Sequence, residues 1–182
     1  MITQDWQDIF HNSVQAWFST KYGRPTPIQE NAWPVIAGGG HILMSAPTGS
    51  GKTLAAFLYV INQLLTGQIP SGATKVLYVS PLKALNNYIE KNLQTPLAEL
   101  TQTLRGDTFG CPDIRVATRS GDTPQNERRR MLRHPPEILI TTPESLSIML
   151  TSRGGREIFN DLEVVILDEV HGVFDNRRGV LL

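Results

Sequence analysis

The sequence has 182 residues and is poor in cysteine, in net charge and in long hydrophobic runs. Its one cysteine, Cys111, excludes an internal disulfide and a cysteine-cluster zinc site, and it suits the reducing cytosol. Seventeen Lys and Arg balance seventeen Asp and Glu, so no global basic field indicates nucleic acid as a partner. No run approaches the roughly 18 apolar residues of a membrane span, and the N-terminus lacks a signal-peptide pattern. We therefore expect a cytoplasmic protein with no membrane partner.

The composition that remains is that of one globular domain. Apolar residues make up 40% and charged residues 19% of the chain. A domain of this length buries on the order of 70% of its unfolded surface and needs no disulfide or structural metal. Five arginines are concentrated in residues 119–134. On charge alone, a solvated helix face explains them better than a nucleic-acid site does.

Strand-like and helix-like patterns alternate along the chain. Apolar positions at helical spacing predict an amphipathic helix over residues 3–20, and Thr26-Pro27 predicts a capped helix ending near Ala37. Thr123-Pro124 and Thr142-Pro143 repeat this helix start. Five short apolar runs predict strands: His41–Ala46, Lys75–Ser80, Ile114–Thr118, Ile138–Thr141 and Val164–Leu167. Such alternation predicts an α/β fold with a parallel β-sheet flanked by helices.

The most informative segment is a glycine-rich loop between a predicted strand and a predicted helix. It reads Ala-Pro-Thr-Gly-Ser-Gly-Lys-Thr over residues 46–53. Gly49 and Gly51 allow the backbone to curl so that its N–H groups form an anion nest at a helix N-terminus. Lys52 supplies a positive charge for β- and γ-phosphates, and the Thr53 hydroxyl is a ligand for Mg²⁺. Ala46 stands where the strict phosphate-loop pattern has glycine.

An acidic pair follows the last predicted strand. Asp168 and Glu169 come directly after Val164–Leu167, and open α/β sheets collect their chemistry at the carboxyl ends of strands. Asp168 is predicted to hold Mg²⁺ through water, and Glu169 to orient and deprotonate the attacking water. Alone, an acidic pair at a strand end is more often a solvated turn. The phosphate loop upstream favours the catalytic interpretation.

Together these motifs resemble the first RecA-like domain of a superfamily 2 helicase. Residues 46–53 are similar to its motif I, with alanine first, and Asp-Glu-Val-His at 168–171 is similar to its DExH motif II. Residues 22–29, Tyr-Gly-Arg-Pro-Thr-Pro-Ile-Gln, resemble its Q motif. The resemblance implies that Gln29 reads the adenine edge and that His171 lies near the γ-phosphate or the interdomain cleft. The implied ATP-binding residues are Gln29, Thr48, Gly49, Ser50, Gly51, Lys52, Thr53 and His171.

Two further segments resemble nucleic-acid-contacting motifs of the same superfamily. Residues 81–87 are similar to motif Ia and residues 141–146 to motif Ib, while residues 119–123 resemble another strand-contacting loop. From end to end, residues 10–182 look like the large helicase-related group of DExH proteins. This resemblance implies an ATP-driven translocase on single-stranded DNA or RNA, with DNA or RNA–DNA hybrids favoured. Lys83, Arg119 and Thr142 are the implied nucleic-acid contacts, although Thr142 is equally explained as a helix cap.

The resemblance also sets expectations for organisation. Residues 1–37 are expected to form N-terminal helices with the Q motif, and residues 38–182 a RecA-like P-loop NTPase domain that is incomplete at its C-terminus. Motif III and the second RecA-like domain, with its arginine finger, are absent from the sequence, so a separate chain carrying that domain is one expected partner. We therefore expect weak ATP·Mg²⁺ binding, little or no unwinding and marginal stability from the isolated chain.

Two other functions remain open at this stage. One is a catalytically idle, truncated paralogue that keeps affinity for nucleotide or nucleic acid without turnover. The other is a DEAD-box-like RNA chaperone domain, which would prefer Asp at position 171 and Thr-Pro-Gly-Arg at motif Ib. The sequence has His171 and Thr142-Pro143-Glu144 at these places, which favours the DExH interpretation.

Overall fold

A computed structural model of the chain describes residues 5–81, 83–105 and 112–170. It divides into two compact units, Met1–Ile69 with Ala98–Pro112, and Pro70–Leu97 with Asp113–Leu182. The helices are α1 (Trp6–Ile9), α2 (Asn12–Tyr22), α3 (Pro27–Ala37), α4 (Lys52–Leu65), α5 (Lys83–Arg105), α6 (Gln125–Arg133), α7 (Pro143–Thr151) and α8 (Arg153–Glu157). The strands are β1 (Val76–Val79), β2 (Val116–Arg119), β3 (Ile138–Thr141) and β4 (Val164–Leu167). No described helix is long and apolar enough to span a membrane.

The first unit begins with a broken helix rather than the single helix predicted over residues 3–20. His11 interrupts it: its backbone is extended, and its Nδ1 accepts a hydrogen bond from the Ser13 N–H, which caps α2. The His11 N–H is held by the Asn62 side chain of α4 at 2.9 Å. A cap and a tertiary hydrogen bond at one residue therefore override the continuous helical periodicity.

Aromatic packing forms the core between the N-terminal helices. The ring centroids of Phe10 and Trp33 lie 4.8 Å apart, edge to face, and those of Phe18 and Trp33 lie 5.5 Å apart. Trp33 is fully buried, and its indole N–H donates to the Ala55 carbonyl of α4 at 3.1 Å. This polar contact fixes α3 against the helix that follows the phosphate loop.

The second unit contains a four-stranded, fully parallel sheet in the order β2-β3-β1-β4. One face packs on α6, α7 and α8 through a cluster of buried apolar side chains. Its members are Leu77, Val79, Met131, Leu139, Leu146, Met149 and Ile158. The observed sheet confirms the predicted α/β class, and four of the five predicted strands are present. β3 and β4 have the predicted ends, and the ends of β1 and β2 are shifted by one or two residues.

The prediction of a strand over His41–Ala46 was wrong. These residues belong to no described sheet ladder, and Leu43 is 84% exposed. The run has strand-like composition, but a strand also requires a neighbour to satisfy its backbone N–H and C=O groups. β4 also differs from what its continuous apolar run suggests, since such runs are typical of strands buried on both faces. Val165 and Leu167, which alternate with less exposed neighbours and so share one face of the strand, are both exposed.

Buried Glu137 ties together the entry points of three strands. Its carboxylate accepts hydrogen bonds from the N–H groups of Gly72 at 2.9 Å and Arg115 at 2.8 Å, and Arg115 also forms an ion pair with it. Its backbone carbonyl accepts from the N–H groups of Lys75 and Val76. Burial raises the pKa of Glu137, but these hydrogen bonds outweigh it and hold the pKa below its usual value.

The predicted cap-plus-proline helix starts had different outcomes. Thr26 and Thr142 are N-caps as predicted, and α3 and α7 begin at the proline that follows each. Thr123, in contrast, is not the cap of α6, whose N-cap is Pro124. The Thr123 hydroxyl instead accepts the Ser120 N–H at 2.9 Å, so it closes the turn before the helix.

Candidate functional site

The glycine-rich loop of the first unit has the backbone geometry of an anion nest. Gly49 and Gly51 have φ values of +82° and +89°, and Gly51 is the left-handed N-cap of α4. Side-chain-bearing residues adopt this conformation at a cost of about 1–2 kcal/mol, which explains glycine at both positions. The first-turn N–H groups of a 14-residue helix thus follow directly on the loop.

Lys52 lies at the first position of α4 and folds over the loop. Its ammonium group donates to the carbonyls of Ala46 and Pro47, the latter at 2.9 Å. Thr48 and Thr53 are exposed, and Ser50 Oγ is buried without a hydrogen-bond partner in the described structure. The positive charge therefore sits against the loop backbone that precedes the helix, where an anion in the nest would meet it.

Gln29 of α3 and Thr26, the N-cap of that helix, contact the same loop. The Gln29 side chain is 3% exposed; its Oε1 accepts from the Thr26 N–H at 2.9 Å and its Nε2 donates to the Gly51 carbonyl at 3.4 Å. The Thr26 hydroxyl donates to the Ser50 carbonyl at 2.8 Å. Residues 22–29, which resemble the Q motif, are therefore joined to the phosphate loop by hydrogen bonds. The resemblance to the Q motif predicted Gln29 as a site residue but gave no sign of the Thr26 contact.

The acidic pair of the second unit stands at the carboxyl end of β4. Asp168 continues the strand, its N–H donating to the Val79 carbonyl at 2.9 Å. Its Oδ2 accepts the Tyr78 hydroxyl at 2.5 Å, and its Oδ1 accepts the Glu169 N–H at 2.8 Å. Glu169 has φ +50°, the one described non-glycine residue with positive φ. Left-handed backbone at a side-chain-bearing residue is typical of functional sites.

Tyr78 is a site residue that the sequence interpretation missed. Its side chain is 1% exposed in the middle of β1. Burial raises the pKa of the phenol above its ordinary value, with further rises from the hydrogen bond and charge of Asp168 and from Glu169. The Ser80 side chain hydrogen-bonds the same phenol. A tyrosine inside an otherwise apolar strand is a usable signal, because a buried hydroxyl requires a polar partner.

Arg119 and Arg128 organise a loop at the carboxyl end of β2. Arg128 donates to the carbonyls of Thr123 at 2.7 Å and Gly121 at 2.6 Å. Arg119 Nη1 is buried with no hydrogen-bond partner among the described residues. Burial lowers the pKa of Arg119, and the charge of Arg128 lowers it further. Two of the five clustered arginines thus have structural surroundings that a solvated helix face does not explain.

Of the remaining predicted site residues, the structure describes the side chain of one, Thr142. Thr142 is 2% exposed, and its hydroxyl accepts the Ser145 N–H at 3.3 Å as the cap of α7. His171 and the Lys83 side chain lie outside the described part of the chain. Within the described ranges, no three His, Cys, Asp or Glu residues are grouped in a way that could hold a metal ion.

The fold and these loops define the class of the protein. A glycine-rich loop that opens a helix, together with a parallel α/β sheet that carries an acidic pair at a strand end, is typical of a RecA-like P-loop NTPase domain. The DEAD/DEAH box helicase family model matches residues 26–182, and the chain belongs to this family.

Specific relatives narrow the resemblance to the Lhr proteins. The chain is 50% identical over 174 residues to the Lhr helicase/probable uracil glycosylase of Mycolicibacterium smegmatis, covering 95% of this chain and 12% of the relative. It is 46% identical over 184 aligned positions to the Lhr helicase/uracil glycosylase of Escherichia coli, covering 96% and 12%. The structure of Mycobacterium smegmatis helicase Lhr bound to ssDNA and AMP-PNP superposes with a TM-score of 0.90 at 49% identity, covering 98% of this chain and 22% of that one. The chain thus spans about an eighth of the length of these two curated relatives.

Proposed function

We propose that this chain binds ATP with Mg²⁺ and single-stranded nucleic acid, as the ATP-binding half of a DExH-type nucleic-acid translocase acting in the cytoplasm. The observation that carries the proposal is the phosphate loop, with two left-handed glycines and Lys52 at the start of α4. Membership of the DEAD/DEAH box helicase family supports it. Unwinding is proposed for full-length relatives rather than for these residues alone, since the chain covers 12% of the two curated Lhr relatives.

Lys52 is proposed to bind the β- and γ-phosphates. Its ammonium group already stands over the loop on the carbonyls of Ala46 and Pro47, so phosphate oxygens would replace weaker neutral acceptors with charged ones. The backbone from Thr48 to Gly51 would cradle the phosphates, and the exposed Thr53 hydroxyl would ligate Mg²⁺. These groups fit a triphosphate and its cation. The triphosphate, when bound, supplies the reactive phosphoanhydride.

Asp168 and Glu169 are proposed to divide two tasks. Asp168 would accept hydrogen bonds from the water ligands of Mg²⁺, because each of its oxygens keeps a lone pair beyond the contact it already makes. Glu169 would orient the attacking water and take its proton. His171 would act near the γ-phosphate or the interdomain cleft, as the DExH resemblance implies.

Gln29 is proposed to read the adenine edge of ATP. A primary amide has two acceptor lone pairs and two N–H donors, and Gln29 uses one of each on Thr26 and Gly51. The second donor and second lone pair are the pair that an adenine edge requires. Adenine recognition and the shape of the phosphate loop would then share one side chain.

Lys83, Arg119 and Thr142 are proposed nucleic-acid contacts, with single-stranded DNA or an RNA–DNA hybrid as the favoured partner. The ssDNA in the Mycobacterium smegmatis Lhr structure supports DNA. The partly buried Arg119, at the end of β2 and without a partner for Nη1 among the described residues, is suited to a phosphate.

Nucleotide titration of two matched variants tests the proposal. Lys52→Ala is expected to weaken binding of a fluorescent ATP analogue by roughly 10- to 100-fold, as loss of charge-assisted hydrogen bonds predicts. Arg153→Ala removes an exposed charge and is the control, expected to leave the affinity unchanged. Equal affinities for wild type and Lys52→Ala would refute a phosphate role.

A further inference from the structure

A partly buried hydrogen-bond network includes Asp168 of the acidic pair, and the proposed function assigns no role to its other members. It runs from Ser80 to Tyr78 on the β1 segment and from Tyr78 to Asp168 at the end of β4. Parallel pairing of β1 with β4 sets Tyr78 opposite Ile166 and Val79 opposite Leu167. Tyr78 and Asp168 are thus brought together by sheet register, 90 residues apart in the sequence.

The carboxylate of Asp168 is fixed by one donor on each oxygen. The Tyr78 hydroxyl donates to Oδ2, and the Glu169 N–H donates to Oδ1. The second contact accompanies the left-handed backbone of Glu169 at φ +50°. With both oxygens held, rotation about the bond to the carboxylate breaks two hydrogen bonds. The directions of the remaining lone pairs are therefore set before any ligand arrives.

We propose that Tyr78 is a positioning residue for Asp168, fixing the orientation of the carboxylate to which the proposed function assigns the water ligands of Mg²⁺. This inference rests on the proposed function, because that function requires a defined orientation of the Asp168 carboxylate. Tyr78 is the proposed cause of that orientation. Tyr78 touches neither nucleotide nor metal in this role and acts only through Asp168. The Ser80 side chain supports it through its own hydrogen bond to the Tyr78 hydroxyl.

The Mg²⁺ dependence of nucleotide binding separates this role from simple packing. A fluorescent, non-hydrolysable ATP analogue is titrated into the chain in EDTA and then at increasing Mg²⁺. Tyr78→Phe is expected to leave affinity in EDTA unchanged and to reduce the Mg²⁺-dependent gain in affinity by roughly 3- to 10-fold, the range for loss of one ordinary hydrogen bond. Tyr88→Phe, which alters a 61% exposed tyrosine, is the matched control with no expected change.

A double-mutant cycle with Asp168→Asn completes the test. If Tyr78 acts through Asp168, Tyr78→Phe has no further effect on the Mg²⁺ dependence in the Asp168→Asn background. Equal effects of Tyr78→Phe in both backgrounds, or an equal loss in EDTA and Mg²⁺, would overturn the inference while leaving the proposed function intact. A wild-type affinity that does not respond to Mg²⁺ would refute the metal part of the proposed function and the inference together. Should Tyr78→Phe unfold, Ser80→Ala tests the network with the ring retained, with an expected reduction of about 2-fold.

Discussion

The two functional loops of this chain are held in place by different means. The phosphate loop depends on side chains of the α3 segment, because Thr26 and Gln29 reach the carbonyls of Ser50 and Gly51. Its preceding segment, residues 41–46, pairs with no described strand. The acidic loop instead follows a strand in register with β1, and one side chain from that neighbouring strand holds Asp168. The phosphate loop is therefore shaped by side chains that hydrogen-bond to its backbone. The acidic loop is positioned by the paired strands that it follows.

The largest effect is expected where the α3 contact meets the phosphate loop. A Cβ at position 51 would lie 2.6 Å from Gln29 Nε2, at a residue with φ +89°. Gly51→Ala is therefore expected to cost about 2–4 kcal/mol of unfolding free energy, from left-handed strain plus displacement of Gln29. Urea unfolding measures this cost, and titration with the ATP analogue should show binding weakened by more than roughly tenfold.

Gly49→Ala is the control for Gly51→Ala. Gly49 has φ +82°, but a Cβ added there would meet no atom within 4 Å, so only the strain of about 1–2 kcal/mol is expected. Equal costs at the two glycines would mean that α3 does not shape the loop. The explanation for the shape of the phosphate loop, hydrogen bonds from Thr26 and Gln29, would then be wrong.

The second expected effect lies at the start of the sheet that carries the acidic loop. Glu137→Gln replaces an acceptor oxygen with an NH₂ group facing the N–H donors of Gly72 and Arg115. We expect a loss of about 2 kcal/mol in unfolding free energy, because buried donors lose a charged acceptor. The exposed Glu157, paired with Arg153 on one helix, is the control, and Glu157→Gln should cost about 0.3 kcal/mol.

The same carboxylate gives a pH dependence with a definite sign. The pKa of Glu137 is lowered on folding, so its contribution is present above the unfolded value of about 4.3 and is lost as pH falls through the folded pKa. The wild type should therefore lose stability more steeply than Glu137→Gln between about pH 5 and pH 3. Urea unfolding measures the unfolding free energy of the two proteins across this pH range. Parallel profiles of that free energy against pH would contradict this assignment.

A smaller effect is expected from the hydroxyl that reaches the phosphate loop. Thr26→Val keeps the shape of the side chain and removes the hydrogen bond to the Ser50 carbonyl. We expect a loss of about 1 kcal/mol and roughly 2- to 5-fold weaker binding of the ATP analogue. Thr26→Ser retains the hydroxyl and should behave like wild type. A loss with Thr26→Ser and none with Thr26→Val would contradict the hydrogen-bond assignment and attribute the effect to the methyl group.

The sequence predicted the local features of these loops and missed their tertiary support. The glycines, Lys52 and the acidic pair were identified because their chemistry is written in consecutive residues next to a helix or strand. Tyr78 was missed because its partner lies 90 residues away and is brought near only by strand register. The strand predicted over residues 41–46 failed for the same kind of reason, since apolar composition does not reveal whether a neighbour exists. Fold class depends on repeated local patterns, which explains why it was predicted correctly.

The smallest effect should separate the two segments that lead into the functional loops. Leu43, 84% exposed in the unpaired run, and Leu167, 49% exposed at the end of paired β4, are both leucines near a functional loop. Leu43→Ser should change the unfolding free energy by less than about 0.5 kcal/mol, because little apolar surface is buried there. Leu167→Ser should cost about 1 kcal/mol, because serine loses half-buried contact and strand preference. A cost above about 1 kcal/mol for Leu43→Ser would mean that residues 41–46 are packed in solution, and the contrast between an unpaired and a paired approach to the loops would disappear.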